Sequence, residues 1–551
     1  VCMLLLSSLL LCGCQAQQTA PVPEDTPKVK ALACDGNLLK ITTEEDFEAG
    51  VRTELEPAAG VGNGALKLAD GAQRGEFVSA VYDMKEFEYL VATWNAALPA
   101  DTSVEVSVRG YIVGTLDEQT QVGWTSWLSY GAYGPRILRG STDDVDTAEG
   151  HGANGWAYLD TDTFSVRGTS GATHVQLKAV LTRADGAAES PVLRQLTATT
   201  KNTNEGKLIP ASYAETPYAG TLPEKVENPA PAYAQGIRDP EISGSICSPS
   251  TISVMLNSRN PALDLLPEEV ALNVQDFSYG FGNWSYCVAG AGLYGYEAYA
   301  QYADKDILLQ ELAKGNTVGL SVNYSTKKNA KNYLAGAYGE TPGHLITLVG
   351  YYYEDGHAND EAYLHFYSSD TYSKEDATAF HDYKWTQLDK AWEGRLAYLI
   401  PAQQPEEGAA ATGVTRVDAT LHEVGEHTYE WMADGVRFDL TGFTTSKTWQ
   451  LGRGVLAYTV AGVGTDMKTG QVAGDASIVY PNAVQVTANS TFGYTNLDIV
   501  NGNLAVNANA LLAASGVPVG ETRTVTVYAI ANNGYLYRAA IDLTRTAPTA
   551  P

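Results

Sequence analysis

The chain has 551 residues, of which 44% are hydrophobic and 18% are charged, and its formal net charge is −28. This length exceeds one ordinary domain, and the composition is that of folded globular domains. The negative charge argues against binding to nucleic acid or, through charge, to anionic membranes, because both need a basic face. We expect an extracytoplasmic protein whose charge keeps it soluble.

The first residues have the pattern of a bacterial lipoprotein signal. The apolar run over residues 1–12 has the length of a signal-peptide core and is too short to span a bilayer. It leads into Leu11-Cys12-Gly13-Cys14, which resembles a lipobox. On this resemblance residues 1–13 are a signal peptide, Cys14 carries the lipid that is the only membrane contact, and residues 14–34 are a tether. The alternative is an ordinary secretory signal.

Residues 35–205 have the pattern of strands. The segment "SVEVSVR" (103–109) alternates strictly, with Val104, Val106 and Val108 on one face. Turns rich in Gly, Asp and Thr recur, and no helical crossovers are visible, so the pattern predicts an antiparallel β-sandwich domain. Residues 206–232 follow it; with five prolines between residues 201 and 232, they read as a linker.

The second half of the chain divides into two more units. Residues 233–401 mix helical patterns with strand patterns, which predicts an α+β domain of a multidomain protein. Residues 402–413 form a second linker. Residues 414–551 return to a strand pattern and predict a C-terminal β-sandwich-like domain. It ends in a hairpin with Asn533-Gly534 at the turn.

A cysteine in the α+β unit stands at a predicted helix start. In "SGSICSPSTISVML" (243–256), Ser248 is a good N-cap and Pro249 suits the first helical position. The unpaired N–H groups and positive dipole end of a helix favour a thiolate at Cys247. We therefore expect Cys247, rather than Cys34 or Cys287, to be the reactive thiol. The alternative is a buried structural cysteine.

A histidine and an aspartate are predicted to pair across a hairpin. His344 enters the apolar strand "HLITLVGYYY", and "AYLHFYSSD" follows after a polar loop. A hairpin centred near residue 357 puts His344 opposite Asp370, where side chains share a face about 5 Å apart. His365 falls on the opposite face from Asp370.

These residues complete a set for nucleophilic catalysis. His344 would accept the thiol proton of Cys247, and Asp370 would orient the imidazole. Gln235, twelve residues before Cys247, supplies an amide N–H₂ that can stabilise an oxyanion beside the backbone N–H of Cys247.

The ordered set resembles a known family. Gln235, "CSPS" at Cys247, "GH" at His344 and then Asp370 resemble papain-like cysteine peptidases of the bacteriocin-processing, double-glycine (C39-like) type. The segments "YGFGNWSYCVAGAGLYGYEAY" and "TQLDKAWEGRLAYLI" are also similar to that family. The resemblance implies a papain-like fold for residues 233–401 and hydrolysis of an amide through an acyl-enzyme. Two alternatives remain: cleavage of a peptidoglycan amide or acyl transfer by the same residues, and a surface binding protein with a silent hydrolase fold.

Other motifs in the sequence give weaker evidence of function. "GAGLYG" (290–295) lacks a preceding strand, which argues against a nucleotide site. "STDDVDT" (141–147) and "DTDT" (160–163) lack the spacing of calcium ligands, so we expect solvated turns. The sequence thus predicts no cofactor and no metal. The expected partners are a peptide or cell-wall peptide substrate and a possible surface partner of the β domains.

Overall fold

The computed structural model describes most of the chain from residue 31 onward. The described ranges are 31–59, 64–99, 101–134, 139–184, 189–206, 208–238, 242–263, 265–373, 378–403, 415–444, 454–460, 465–468, 479–485, 496–531 and 535–547. The expected signal peptide, Cys14 and the turn at Asn533-Gly534 lie outside them. Within these ranges no helix is both long and apolar enough to cross a membrane.

The N-terminal unit is built almost entirely of strands. Its elements are β1 (Leu32–Ala33), β2 (Leu38–Ile41), α1 (Glu44–Glu48), β3 (Val51–Thr53), β4 (Leu55–Pro57), β5 (Leu66–Leu68), β6 (Arg74–Val78), β7 (Tyr82–Phe87), β8 (Tyr89–Ala97), β9 (Thr102–Leu116), β10 (Gln119–Trp124), β11 (Leu128–Tyr133), β12 (Ala157–Asp160), β13 (Thr163–Val166), β14 (Gly171–Arg183) and β15 (Val192–Lys201). Within the described residues, one sheet holds β1, β3, β6, β7, β9, β10, β11 and β14, and a second holds the other strands.

The two sheets enclose one hydrophobic core, which fits the predicted sandwich. Val104, Val106 and Val108 of β9 are all fully buried, as their alternation predicts. The strands pair antiparallel, except that β1 pairs parallel with β7. Long paired strands β9 and β14 form the centre of the first sheet.

The segment predicted as a linker, 206–232, is only partly a linker. Its residues 225–227 form strand β16 (Lys225–Glu227), which pairs antiparallel with the central unit at Val226 and Tyr351. Tyr213 and Leu222 pack against the core of that unit. Prolines disfavour a helix interior but are compatible with extended chain, so a proline-rich segment can still pack against its neighbour as a strand.

The central unit continues with helices and strands. Its elements are α2 (Cys247–Arg259), α3 (Pro267–Val274), α4 (Trp284–Leu293), β17 (Tyr296–Tyr302), α5 (Lys305–Ala313), β18 (Val318–Tyr324), β19 (Thr341–Tyr353), β20 (Leu364–Asp370), β21 (Phe380–Lys384), α6 (Trp385–Ala391) and β22 (Leu396–Gln403). The strands form an antiparallel sheet in the order β17-β22-β18-β19-β20-β21. Helices α2, α3 and α4 pack in one core against it, and α5 and α6 pack in another.

The C-terminal unit is again rich in strands. Its elements are β23 (Thr415–Gly425), β24 (Thr428–Ala433), β25 (Val436–Arg437), β26 (Phe443–Thr444), β27 (Gly454–Val460), β28 (Thr465–Lys468), β29 (Val479–Gln485), β30 (Leu497–Val500), β31 (Asn503–Val506), α7 (Ala508–Ala514), β32 (Thr522–Ile530) and β33 (Tyr535–Thr544). Of these described strands, β28 and β29 pair with each other and the rest form one sheet around a common core. The predicted hairpin is present as antiparallel β32 and β33, which pair from Ile530 and Leu536 onward.

Helix α4 belongs to two hydrophobic cores. Tyr286, Ala289 and Leu293 lie in the core of the sandwich, whereas Cys287 and Val288 lie in the core of the central unit. Residues on opposite sides of one helix thus pack into the cores of both units. The sandwich and the central unit are therefore packed as one body around this helix.

Replacement of Tyr286 should test this shared packing. Tyr286 is fully buried, its ring lies 6.1 Å from that of Trp94, and its hydroxyl donates to the Tyr130 carbonyl at 3.1 Å. We expect Tyr286→Ala to cost about 3–5 kcal/mol, the usual loss for a buried aromatic. Calorimetry should show both units unfolding earlier in one shared transition. Tyr279→Ala, at a residue that is 60% exposed, is the control and should change little. Separate transitions for the two units would contradict shared packing.

Candidate active site

Cys247 is the first residue of helix α2. The predicted N-cap is displaced: the helix begins at Cys247 with Ile246 as its N-cap, so Ser248 and Pro249 lie inside the first turn. The Ser248 hydroxyl does not cap the helix, because it is engaged with the Tyr398 hydroxyl at 2.7 Å and with Cys287 Sγ at 3.0 Å. Cys247 therefore sits closer to the unpaired N–H groups than expected.

The surroundings of Cys247 favour its thiolate. The side chain is half-buried, and burial by itself raises its pKa. A hydrogen bond with His344, the charge of that imidazole, and the backbone N–H groups of Leu345 and Ser248 act in the opposite direction and hold the pKa of Cys247 below its ordinary value. The N–H of Ser248 is one of the unpaired donors at the start of α2.

His344 and Asp370 form a buried pair. His344 Nε2 lies 2.8 Å from Asp370 Oδ1, and the two side chains are 4% and 0% exposed. Burial lowers the pKa of His344, but the charge of Asp370 and the hydrogen bonds to Asp370 and Cys247 raise it to about 10. Since Nε2 is bound to Asp370, the other ring nitrogen remains for Cys247. The three side chains thus form a continuous chain of hydrogen bonds.

The predicted register of this pair is wrong by two residues. Asp370 lies opposite Ile346 rather than His344. The face is nevertheless correct, because a displacement of two residues returns a side chain to the same side of a sheet. His344 reaches Asp370 as a diagonal neighbour.

Two local features produce the displacement. The strands pair from Tyr353 and Leu364 onward, so the hairpin is centred between residues 358 and 359 instead of near 357. An irregularity between Leu348 and Gly350 then moves the register back by one residue. Gly350, a glycine inside an apolar strand, is the signal in the sequence from which the bulge could have been expected.

Asp370 is supplied with hydrogen-bond donors on both oxygens. Besides His344, the backbone N–H of Tyr372 donates to Oδ1 at 2.9 Å. The hydroxyls of Tyr383 and Tyr324 donate to Oδ2 at 2.8 Å and 3.3 Å. Burial raises the pKa of Asp370, but the charge and hydrogen bond of His344 outweigh it and hold this pKa below its usual range. Sequence reasoning missed these tyrosines, for which the only signal was an excess of Tyr over Phe.

Gln235 lies between the end of β20 and the chain that leads to Cys247. Its Nε2 donates to the Ser243 carbonyl at 3.0 Å, and its Oε1 accepts from the Thr371 hydroxyl at 2.7 Å. Its backbone N–H donates to the Thr371 carbonyl at 2.8 Å. The Ser243 bond engages one of the two amide N–H groups. Gln235 is buried and held by its neighbours rather than free to rotate.

The other two described cysteines are in different surroundings. Cys287 is fully buried in α4 and donates to the Phe281 carbonyl at 3.4 Å, and burial raises its pKa to about 12. Cys34 is half-buried in the sandwich, where burial and then the charge of Asp35 raise its pKa to about 11. Of the described thiols, Cys247 alone has a lowered pKa.

Comparison with known families identifies the family to which the chain belongs. Residues 37–201 match the family described as Peptidase C39 N-terminal domain, and residues 227–398 match the Peptidase_C39 like family. The chain therefore belongs to the C39-type cysteine peptidases, as the resemblance of its motifs predicts. No curated protein matches it.

Alkylation should separate the three thiols. A limiting amount of iodoacetamide near neutral pH should label Cys247 first, because the hydrogen bond and charge of His344 lower its pKa from that of an ordinary thiol. Cys34 and Cys287, with pKa values raised to about 11 and about 12, stay protonated there. Mass mapping of labelled peptides measures the order. His344→Ala is the matched variant and should move Cys247 labelling to higher pH, while labelling of Cys287 in preference to an inert Cys247 would overturn the assignment.

Proposed function

We propose that this chain is an extracytoplasmic cysteine peptidase whose papain-like central unit cleaves an amide bond through an acyl-enzyme on Cys247. The observation that carries the proposal is the hydrogen-bonded chain from Cys247 through His344 to Asp370. The lowered pKa of Cys247 and the raised pKa of His344 favour a thiolate–imidazolium pair at neutral pH. Membership of a cysteine peptidase family supports the same chemistry.

The reaction would proceed in two stages. The Cys247 thiolate attacks the carbonyl carbon, and the resulting oxyanion accepts hydrogen bonds from the Gln235 amide and the Cys247 backbone N–H. The C–N bond then breaks, and the amine leaves with the proton of His344. In the second stage His344 takes a proton from water, the hydroxide attacks the thioester, and the carboxylic acid leaves as the thiolate is restored.

Asp370 would act by orientation and charge. Its carboxylate holds Nε2 of His344, so the ring presents its other nitrogen to Cys247 throughout the cycle. Its negative charge also stabilises the imidazolium that forms when His344 carries the thiol proton. The charge and hydrogen bond of His344 hold the pKa of this carboxylate below its usual range although it is buried, and the hydroxyls of Tyr383 and Tyr324 fix its second oxygen.

A peptide substrate is favoured over the alternatives by family membership. Cleavage of a peptidoglycan amide or acyl transfer would use the same residues, and a binding protein would use none of them. An activity-based thiol probe followed by peptide and muropeptide libraries distinguishes these functions. Turnover of peptides supports the proposal. Turnover of muropeptides alone would show that the substrate is a cell-wall amide instead of a protein or peptide. An unreactive Cys247 would overturn the proposal in favour of a binding protein.

Removal of the nucleophile or the base should abolish turnover. Cys247→Ala deletes the attacking sulfur, and His344→Ala deletes the proton acceptor. Because Cys247 is half-buried and small, Cys247→Ala should leave the unfolding temperature nearly unchanged. Peptide turnover and probe labelling measure the effect. Cys34→Ala, in the sandwich, is the matched control and should retain turnover.

The two supporting residues should give graded losses. Asp370→Asn keeps an acceptor for His344 but removes the charge, so turnover should fall without being abolished. Gln235→Ala should reduce kcat by about 10²–10³, the usual loss for one oxyanion donor. Undiminished kcat in Gln235→Ala would show that another group stabilises the oxyanion.

Attachment through lipid is a separate proposal that rests on Leu11-Cys12-Gly13-Cys14. Cys14→Ser removes the only thiol that the lipobox places for acylation, so the protein should appear in the soluble fraction instead of the membrane fraction. Metabolic labelling with a fatty-acid analogue is the measurement. Label that persists in Cys14→Ser would contradict the assignment, and an unlabelled wild-type protein would indicate an ordinary secretory signal.

A further inference from the structure

A buried carboxylate of the sandwich stands outside the proposed mechanism. Asp162 lies in the turn between β12 and β13, in the "DTDT" segment that the sequence predicts to be a solvated turn. That expectation is wrong for Asp162, which is only 8% exposed because the central unit covers it. Burial raises its pKa to about 6. A carboxylate that is buried at such a cost needs a compensating contact.

The compensating contact is the start of helix α4. Asp162 Oδ2 accepts the backbone N–H of Trp284, the first residue of α4, at 2.6 Å. That N–H is one of the four that a helix leaves unpaired at its N-terminus, where a negative charge is also favourable. The Thr163 hydroxyl donates to Oδ1 at 3.0 Å. A side chain of the sandwich thus supplies an anchor for a helix of the central unit.

The next two residues of α4 are also tied to the sandwich. The Ser285 hydroxyl donates to the Ala92 carbonyl at 2.6 Å, and the Tyr286 hydroxyl donates to the Tyr130 carbonyl at 3.1 Å. Three successive residues at this end of α4 therefore bond to the sandwich. The position of the N-terminus of α4 is set by the sandwich rather than by the central unit alone.

From α4 the contacts lead to the nucleophile. The Trp284 ring lies 4.1 Å from the Tyr398 ring, and the Tyr398 hydroxyl is 2.7 Å from Ser248 Oγ. Cys287, also on α4, places its Sγ 3.0 Å from the same Ser248 oxygen. Ser248 is fully buried and follows Cys247 directly, and its N–H is among the donors that lower the pKa of Cys247.

We propose that Asp162 is a positioning residue of the active site: it holds α4 so that Trp284, Cys287 and Tyr398 keep Ser248, and with it Cys247, in line with His344. This inference rests on the proposed role of Cys247 as nucleophile. It makes the sandwich a part of the catalytic unit. Displacement of a catalytic group by about 1 Å can cost on the order of 10²-fold in rate.

The test uses the full chain and needs no natural substrate. The rate of Cys247 alkylation by iodoacetamide is measured across pH for Asp162→Ala, Asp162→Asn and the wild type, with mass mapping to follow Cys247 alone. Asp162→Ala removes the acceptor of the Trp284 N–H, so the rate at neutral pH should fall by about tenfold or more and its pH midpoint should rise. Asp162→Asn keeps an acceptor oxygen and should restore most of the rate.

Controls separate positioning from stability. Asp160→Asn changes an exposed carboxylate two residues away and should alkylate like the wild type. Thermal unfolding of each variant shows whether it is folded at the assay temperature. A folded Asp162→Ala protein with an unchanged pH profile would overturn the proposal and leave Asp162 as a cap that contributes only to stability.

A second variant applies if Asp162→Ala does not fold. Tyr398→Phe keeps the ring against Trp284 and removes only the hydroxyl that holds Ser248. It should also raise the pH midpoint of Cys247 alkylation, and a wild-type profile would again overturn the proposal. If wild-type Cys247 itself resists alkylation, the proposed function fails. If wild-type Cys247 reacts and neither variant changes it, only the role of Asp162 fails.

Discussion

Helix α4 has to satisfy two hydrophobic cores at once, and the arrangement of the N-terminal 400 residues depends on this constraint. Tyr286 fills the sandwich core beside Trp94, while one residue further Cys287 faces the central unit. A helix that is apolar all round is stable only when both sides are covered. The two matched family regions, 37–201 and 227–398, are therefore separate in sequence but continuous in packing.

Buried charge is the second constraint, and the molecule meets it with fixed donors. Asp370 and Asp162 are both carboxylates that burial penalises. At Asp370 the charge and hydrogen bond of His344, together with a backbone N–H, outweigh the penalty, so its pKa is lowered. Asp162 has fewer donors, and its pKa stays raised. The contrast follows from the neighbouring charges: Asp370 is bound to the imidazole of His344, whereas the carboxylates of Asp276 and Asp160 add to the effect of burial on the pKa of Asp162.

Much of the candidate site could be predicted because its elements are local in sequence. Cys247 at a helix start and His344 and Asp370 on one face of a hairpin follow from turn residues and from the two-residue period of strands. The direct opposition of His344 and Asp370 could not be predicted, since a loop conformation and a bulge decide it. The helix start was also displaced to Cys247, because Ser248 bonds to Tyr398 and Cys287 instead of capping.

The sequence by itself determined the succession of strand-rich, mixed and again strand-rich regions, the alternation that buries Val104, Val106 and Val108, and the residue types of the site. These depend on periodicity and composition, which act over a few residues. Only the tertiary structure decided that residues 225–227 join the central sheet. It also decided that Asp162 is buried and accepts a hydrogen bond from the first residue of α4. Such contacts join positions more than a hundred residues apart, and a turn motif has the same local pattern whether water or another domain covers it.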